Sequence, residues 1–82
     1  MGAREIPLGP GDRHVVAFER AGWYKARKQG SHVIMSKAGT PVNLSIPCHG
    51  GSDVPRSLIH SLVKAAGLTE AEYKAYYEGK RK

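Results

Sequence analysis

The chain has a single cysteine, Cys48, among its 82 residues. That excludes an internal disulfide and leaves no second thiol for a cysteine-based zinc site. No apolar run is long enough to cross a membrane. The amino terminus carries Arg4 and Glu5 before Ile6-Pro7-Leu8-Gly9-Pro10 and lacks the apolar core of a signal peptide. Met1-Gly2 does not make a myristoylation motif, because the sixth residue is Ile6 rather than Ser or Thr. These absences predict a soluble protein of a reducing cytoplasm. The most informative deficit is local: from Arg20 to Ser52, 33 residues contain no acidic side chain and five cationic ones, Arg20, Lys25, Arg27, Lys28 and Lys37.

What is present bounds the protein further. Thirteen Lys and Arg against seven Asp and Glu give +6, which suits an acidic partner such as nucleic acid or an acidic protein. The length allows one small domain and excludes a second. Residues 1–11, with two prolines and three glycines, read as an irregular arm. Asp12 is placed to cap a helix with Val15, Phe18 and Ala21 on one face and Gly22 as its stop. Trp23 to Lys28 and Ser31 to Lys37 read as a hairpin about Gln29-Gly30. Val42, Leu44 and Ile46 alternate with Asn43 and Ser45 as a third strand. Pro55 suits the first turn of a second helix carrying Leu58, Ile59, Leu62, Val63 and Ala66, closed by Gly67. Thr69 with Glu72 is a capping box for a third helix, with Leu68 as its staple on Tyr73. Tyr73, Tyr76 and Tyr77 form a partly aromatic face suited to the protein's own core or to a dimer contact.

This order, α-β-β-β-α-α, predicts an α+β two-layer sandwich of the double-stranded-RNA-binding type of topology. It has a three-stranded antiparallel meander with helices on one face. The single domain spans 12–78, and Gly79 to Lys82 form a basic tail.

Pleat puts Val33 and Met35 of the second strand on one face and His32, Ile34 and Ser36 on the other. If the first pair joins the core, His32 stands on the open face, where it is either a half-exposed histidine without a task or a general acid or base. Lys25, Arg27 and Lys28 of the neighbouring strand are the natural phosphate binders, or else a solvated charged face. Trp23 and Tyr24 could stack on bases, though core packing suits Trp23 better. His49, after Pro47-Cys48 and before Gly50-Gly51, is a possible second acid or base. Cys48 reads as a small buried thiol rather than a nucleophile. His14 and His60 lack carboxylate or thiolate partners at ligand spacing, so no metal site is expected.

The combination of Ala21-Gly22-Trp23, Arg27-Lys28-Gln29-Gly30-Ser31-His32, Val42 to Ile46 with Pro47 and His49, Leu58-Ile59, and Ala65-Ala66-Gly67-Leu68 with Thr69, Glu70 and Tyr73 resembles the HicA toxins. It runs from about residue 14 to 77. The resemblance implies a small ribonuclease that cleaves messenger RNA and is held inactive by a cognate HicB antitoxin in a bacterial or archaeal cytoplasm; with no metal site expected, the reading is of a metal-independent endoribonuclease that needs no cofactor. It also implies that His32 is catalytic, with Gly30 and Ser31 as motif neighbours that give the turn and the close approach of RNA. Where the family often carries Gly-Thr-Leu before its second helix, this chain has Pro55-Arg56-Ser57-Leu58. A domain that binds RNA without cutting it, or an inactive antitoxin partner, would share the same cationic strand.

Overall fold

A computed structural model describes residues 6–80. Helix α1 (Gly11–Arg20) is followed by strands β1 (Tyr24–Gln29), β2 (His32–Ser36) and β3 (Leu44–Pro47), then by helices α2 (Arg56–Ala65) and α3 (Glu70–Tyr77). This is the α+β order that the sequence predicts. The three helices end alike: Gly22, Gly67 and Gly79 take positive φ. In each case the next residue's amide reaches back to a carbonyl of the last turn, Trp23 to Phe18, Leu68 to Val63 and Lys80 to Ala75, which is the Schellman closure. Gly79 and Lys80 therefore finish α3 rather than begin a tail; the tail's Arg81 and Lys82 lie outside the described residues.

The helix starts differ. α3 begins with the full capping box: the Thr69 hydroxyl accepts from the Glu72 amide at 3.1 Å and the Glu72 carboxylate accepts from the Thr69 amide at 2.9 Å. α1 does not begin at Asp12 as expected. Its N-cap is Pro10 with extended backbone and no side-chain cap, and Asp12 lies inside the first turn, where its charge still complements the helix dipole. Gly11 opens the helix because a Cβ there would collide with the Pro47 carbonyl, so α1 starts hard against the end of β3.

The sheet has the order β1-β2-β3, all antiparallel. Gly30-Ser31 is a two-residue hairpin loop with positive φ at Gly30 and not at Ser31, the pattern of a type II′ turn, whose first central position favours glycine. Val33, Met35, Leu44 and Ile46 are buried in the core under α1 and α2. Val42, expected to continue the third strand inward, lies before it and is 37% exposed. The loop from Ala38 to Asn43 takes up those residues, and the Ser36 hydroxyl bonds the Asn43 side chain at 2.8 Å.

α3 packs on α1 rather than on the sheet. Tyr73 and Phe18 are fully buried with ring centroids 4.8 Å apart. The Tyr73 hydroxyl meets Nδ1 of buried His14 at 2.5 Å. Arg20 donates to the Tyr76 and Tyr77 carbonyls at the end of α3. His60 of α2 pairs with Glu70 of α3 at 3.0 Å, a carboxylate partner that the linear spacing does not show. Of the arm expected over residues 1–11, residues 1–5 lie outside the described residues, and from Ile6 onward the chain belongs to the body. Ile6 is 1% exposed within the core. The Val54 amide donates to the Gly9 carbonyl, Pro10 bridges Asp53, and the Arg56 guanidinium donates to the Ile6 carbonyl.

Candidate active site

Register decides which side chains share the open face of the sheet. Paired residues in an antiparallel ladder project to the same side. Val33 and Met35 point to the helices, so their partners Lys28 and Lys25 do too. His32, Ile34 and Ser36 point away, together with Gln29, Arg27 and Tyr24 of β1 and Pro47 and Ser45 of β3. The ladder slips between Lys25 and Arg27, leaving Ala26 as the extra residue of a β-bulge. That bulge decides the side of Lys25, which in a regular strand would join Arg27. By register Arg27 shares the face of His32, whereas Lys25 and Lys28 turn toward α1; β1 is an edge strand, and the long Arg27 side chain also borders the groove of about 520 Å³ that Lys25 and Lys28 line with Asp12, Val16 and Glu19. The three expected phosphate binders thus border one groove, although the strand register gives Arg27 alone the face of His32.

The hairpin loop sets His32 at the first position of β2, and Gln29 lies directly opposite. On its other side His32 pairs with Pro47. One residue further, the Cys48 amide donates to the Ser31 carbonyl at 2.7 Å, which extends the pairing just past the strand. This last bond holds the chain so that His49, two residues after the partner of His32, returns to the same side. The two rings stand 5.8 Å apart between centroids and nearly perpendicular, at 86°. Both side chains are exposed, and after His49 the chain turns away through Gly50-Gly51, both with positive φ. Two imidazoles with four ring nitrogens can thus approach one solvent-side group. Gly30 has open space where a Cβ would lie, so its demand is conformational, through the turn, and the hairpin tip is uncrowded.

Cys48 is half-buried on the other side of this strand end. Its thiol donates to the Ile46 carbonyl. Burial and the nearby Asp12 carboxylate push its pKa up, against a smaller opposing pull from Lys28 and Lys25. A thiol held protonated is a poor nucleophile, in agreement with the structural role expected for it. Among the described residues no group of three or more His, Cys, Asp or Glu side chains could hold a metal ion, and no helix is long and apolar enough to cross a membrane.

Two features escape sequence reading. The first is the bulge, because Tyr24 to Gln29 carries no glycine to mark it. The second is the proximity of His32 and His49, 17 positions apart, which depends on the β2–β3 register. Compared with models of known protein families, residues 11–68 match the model described as the HicA toxin of bacterial toxin-antitoxin. No curated protein and no solved structure gives a match.

Proposed function

Because this chain belongs to the HicA toxin family of bacterial toxin–antitoxin systems, we propose that it is an endoribonuclease that cleaves messenger RNA without a metal, using His32 and His49 as an acid–base pair. The observation that carries this reading is the juxtaposition of the two exposed rings, 5.8 Å apart, at the end of a sheet face that also holds Arg27. In such a cleavage one imidazole takes the proton of a ribose 2′-hydroxyl. The 2′-oxygen then attacks the adjacent phosphorus, and the second imidazole gives a proton to the departing 5′-oxygen. The products are a 2′,3′-cyclic phosphate and a 5′-hydroxyl. Each proton transfer of this kind is typically worth about 100- to 10,000-fold in rate. Arg27 supplies positive charge toward the phosphorane that forms between the two. Gln29, opposite His32, is a neutral donor and acceptor within the same cluster. Lys25 and Lys28, on the edge toward α1, attract the polyanion from a distance rather than touch the reacting phosphate.

The antitoxin partner, a HicB-type protein in this reading, silences the enzyme by covering the open face, and the pair acts in the cytoplasm. The test is cleavage of a labelled single-stranded RNA in excess chelator by the parent, His32→Ala and His49→Ala. The parent yields cyclic phosphate ends, His32→Ala yields none, and His49→Ala is slowed at least about 100-fold, each variant keeping the parent's circular dichroism. Equal cleavage by His32→Ala and the parent would remove His32 from the reaction. Retention of intact RNA by the parent would leave a binding module in place of an enzyme.

A further inference from the structure

The open face extends well beyond the histidine pair, and its far end carries an aromatic side chain that the proposed cleavage does not use. Tyr24 is 55% exposed, the most exposed large apolar side chain among the described residues. It pairs with Ser36 and so shares the face of His32, four residues away along β2. At about 3.4 Å per residue this separation is about 14 Å, the length of about four nucleotides at duplex spacing and fewer in an extended strand.

The placement of Tyr24 is a consequence of the bulge. In an uninterrupted strand Arg27 and Gln29 on the open face would be joined by Lys25, and Tyr24 would turn toward the helices. With Ala26 as the extra residue, Lys25 falls opposite core residue Met35 and Tyr24 comes to the open side. Bulges commonly re-aim a side chain beside a functional site. Between Tyr24 and the histidines lie Arg27 and Ile34, directly opposite each other. Ile34 is 7% exposed and stands apart from the main core cluster. The face thus presents a cation in its middle and a free aromatic ring at one end. None of the side chains that the ladder places on it is acidic, and Tyr24 is its only large exposed apolar group. A protein that covers this face, as the antitoxin does in the reading above, would have to do so through polar contacts, because there is little apolar area to bury. A single nucleic-acid strand needs this combination, a positive track with an aromatic platform.

We propose that Tyr24 is a base-stacking subsite for single-stranded RNA, a few nucleotides from the phosphate held by His32 and His49. This rests on the reading that RNA lies along the open face. Stacking fixes the strand's register without taking part in proton transfer, so Tyr24 is a binding residue and not a catalytic one. Because every base has a flat face, the subsite accepts any base.

The test is fluorescence anisotropy with a labelled 2′-O-methyl RNA of about 12 nucleotides, long enough to span the face and unable to react at its 2′-positions. Tyr24→Ala should weaken binding by about 5- to 150-fold, the range for loss of one stacked base. The factor should be the same at every salt concentration, since no charge is removed and the slope of log affinity against log salt is set by the cations. Tyr24→Phe should bind within about twofold of the parent, because the ring and not the hydroxyl is the platform. Parent-like binding by Tyr24→Ala would overturn the subsite and leave the ribonuclease reading intact. So would a Tyr24→Phe variant as weak as Tyr24→Ala. Tyr24-dependent binding by a protein that leaves cleavable RNA uncut would sustain the subsite and overturn the cleavage. An RNA that the parent does not bind would overturn both.

Discussion

Acidification should unlock the contact between α1 and α3 through His14. This ring has no exposed surface, and its Nδ1 meets the Tyr73 hydroxyl. It also lies beside Tyr77, at 5.0 Å between centroids. Burial lowers its pKa from 6.5 to about 4; the Gly9 carbonyl and Asp53 work in the other direction without prevailing, and Arg13 adds to the depression. Burial likewise pushes the Tyr73 phenol well above its usual range, with help from Tyr77. Tyr73 therefore keeps its proton and can donate it to Nδ1 of a neutral ring whose own proton sits on Nε2. That atom is buried and makes no hydrogen bond of good geometry among the described residues, the Gly9 carbonyl being only a weak acceptor for the ring. The neutral ring is tolerated and the charged ring is not.

The sign follows from proton counting. Between pH 6.5 and about 4 the unfolded chain binds a proton at His14 that the folded chain refuses, so stability falls as the pH falls through that window and is unaffected above it. At about 1.4 kcal/mol per pH unit the full loss is about 3 kcal/mol, a large share of the roughly 5–15 kcal/mol that holds a small domain together. Urea unfolding of the parent at a series of pH values measures it. The control is His14→Leu combined with Tyr73→Phe, which removes both partners of the buried hydrogen bond and should be close to neutral at pH about 7.5. Its stability should fall less on acidification by about 3 kcal/mol. Parallel decline of parent and double variant would refute the argument and assign the acid sensitivity to carboxylates elsewhere.

Much of the frame is legible in the sequence because its signals are local. Thr69 and Glu72 announce the start of α3, and Gly22 and Gly67 stop the first two helices. Alternation groups Val33 with Met35 and His32 with Ile34 and Ser36 but leaves open which set is buried; packing under the helices decides for Val33 and Met35 and leaves His32 on the open face. What escapes is set by contacts between distant residues or by a slip in period. The alternating pattern of Val42 runs one step beyond the ladder because β3 has no partner there. Asp12 is a good capping residue, but the chain enters α1 from the Pro10 bridge to Asp53, and the helix starts before the cap position expected for it. The arm looks like a frayed end until Ile6 is seen to fill the core. Periodicity pairs Lys25 with Arg27 and gives no hint that one residue too many in β1 sides Lys25 with Lys28 instead. His14 looks idle because its partner lies 59 residues away.

The remaining predictions test these particular contacts. Ile6→Ala should cost about 2–5 kcal/mol in urea unfolding, as for a core residue; a change under about 0.5 kcal/mol would return the arm to the surface. Thr69→Ala should cost about 1 kcal/mol through loss of the cap, and the same figure should appear as faster hydrogen exchange at the Glu72 amide. The bulge gives the least intuitive expectation. Lys25 and Arg27 face adjacent β2 residues, Met35 and Ile34, so deleting Ala26 leaves every cross-strand pair in place and converts β1 to a regular strand. Lys25 would still face the helices, and Tyr24 and Arg27 the open side. The deletion variant should therefore fold, with a urea midpoint near that of the parent, and should keep the contribution of Tyr24 to RNA affinity. Loss of that contribution in a folded deletion variant would mean that the bend and twist of the bulge, and not the choice of face alone, aim the ring at the RNA.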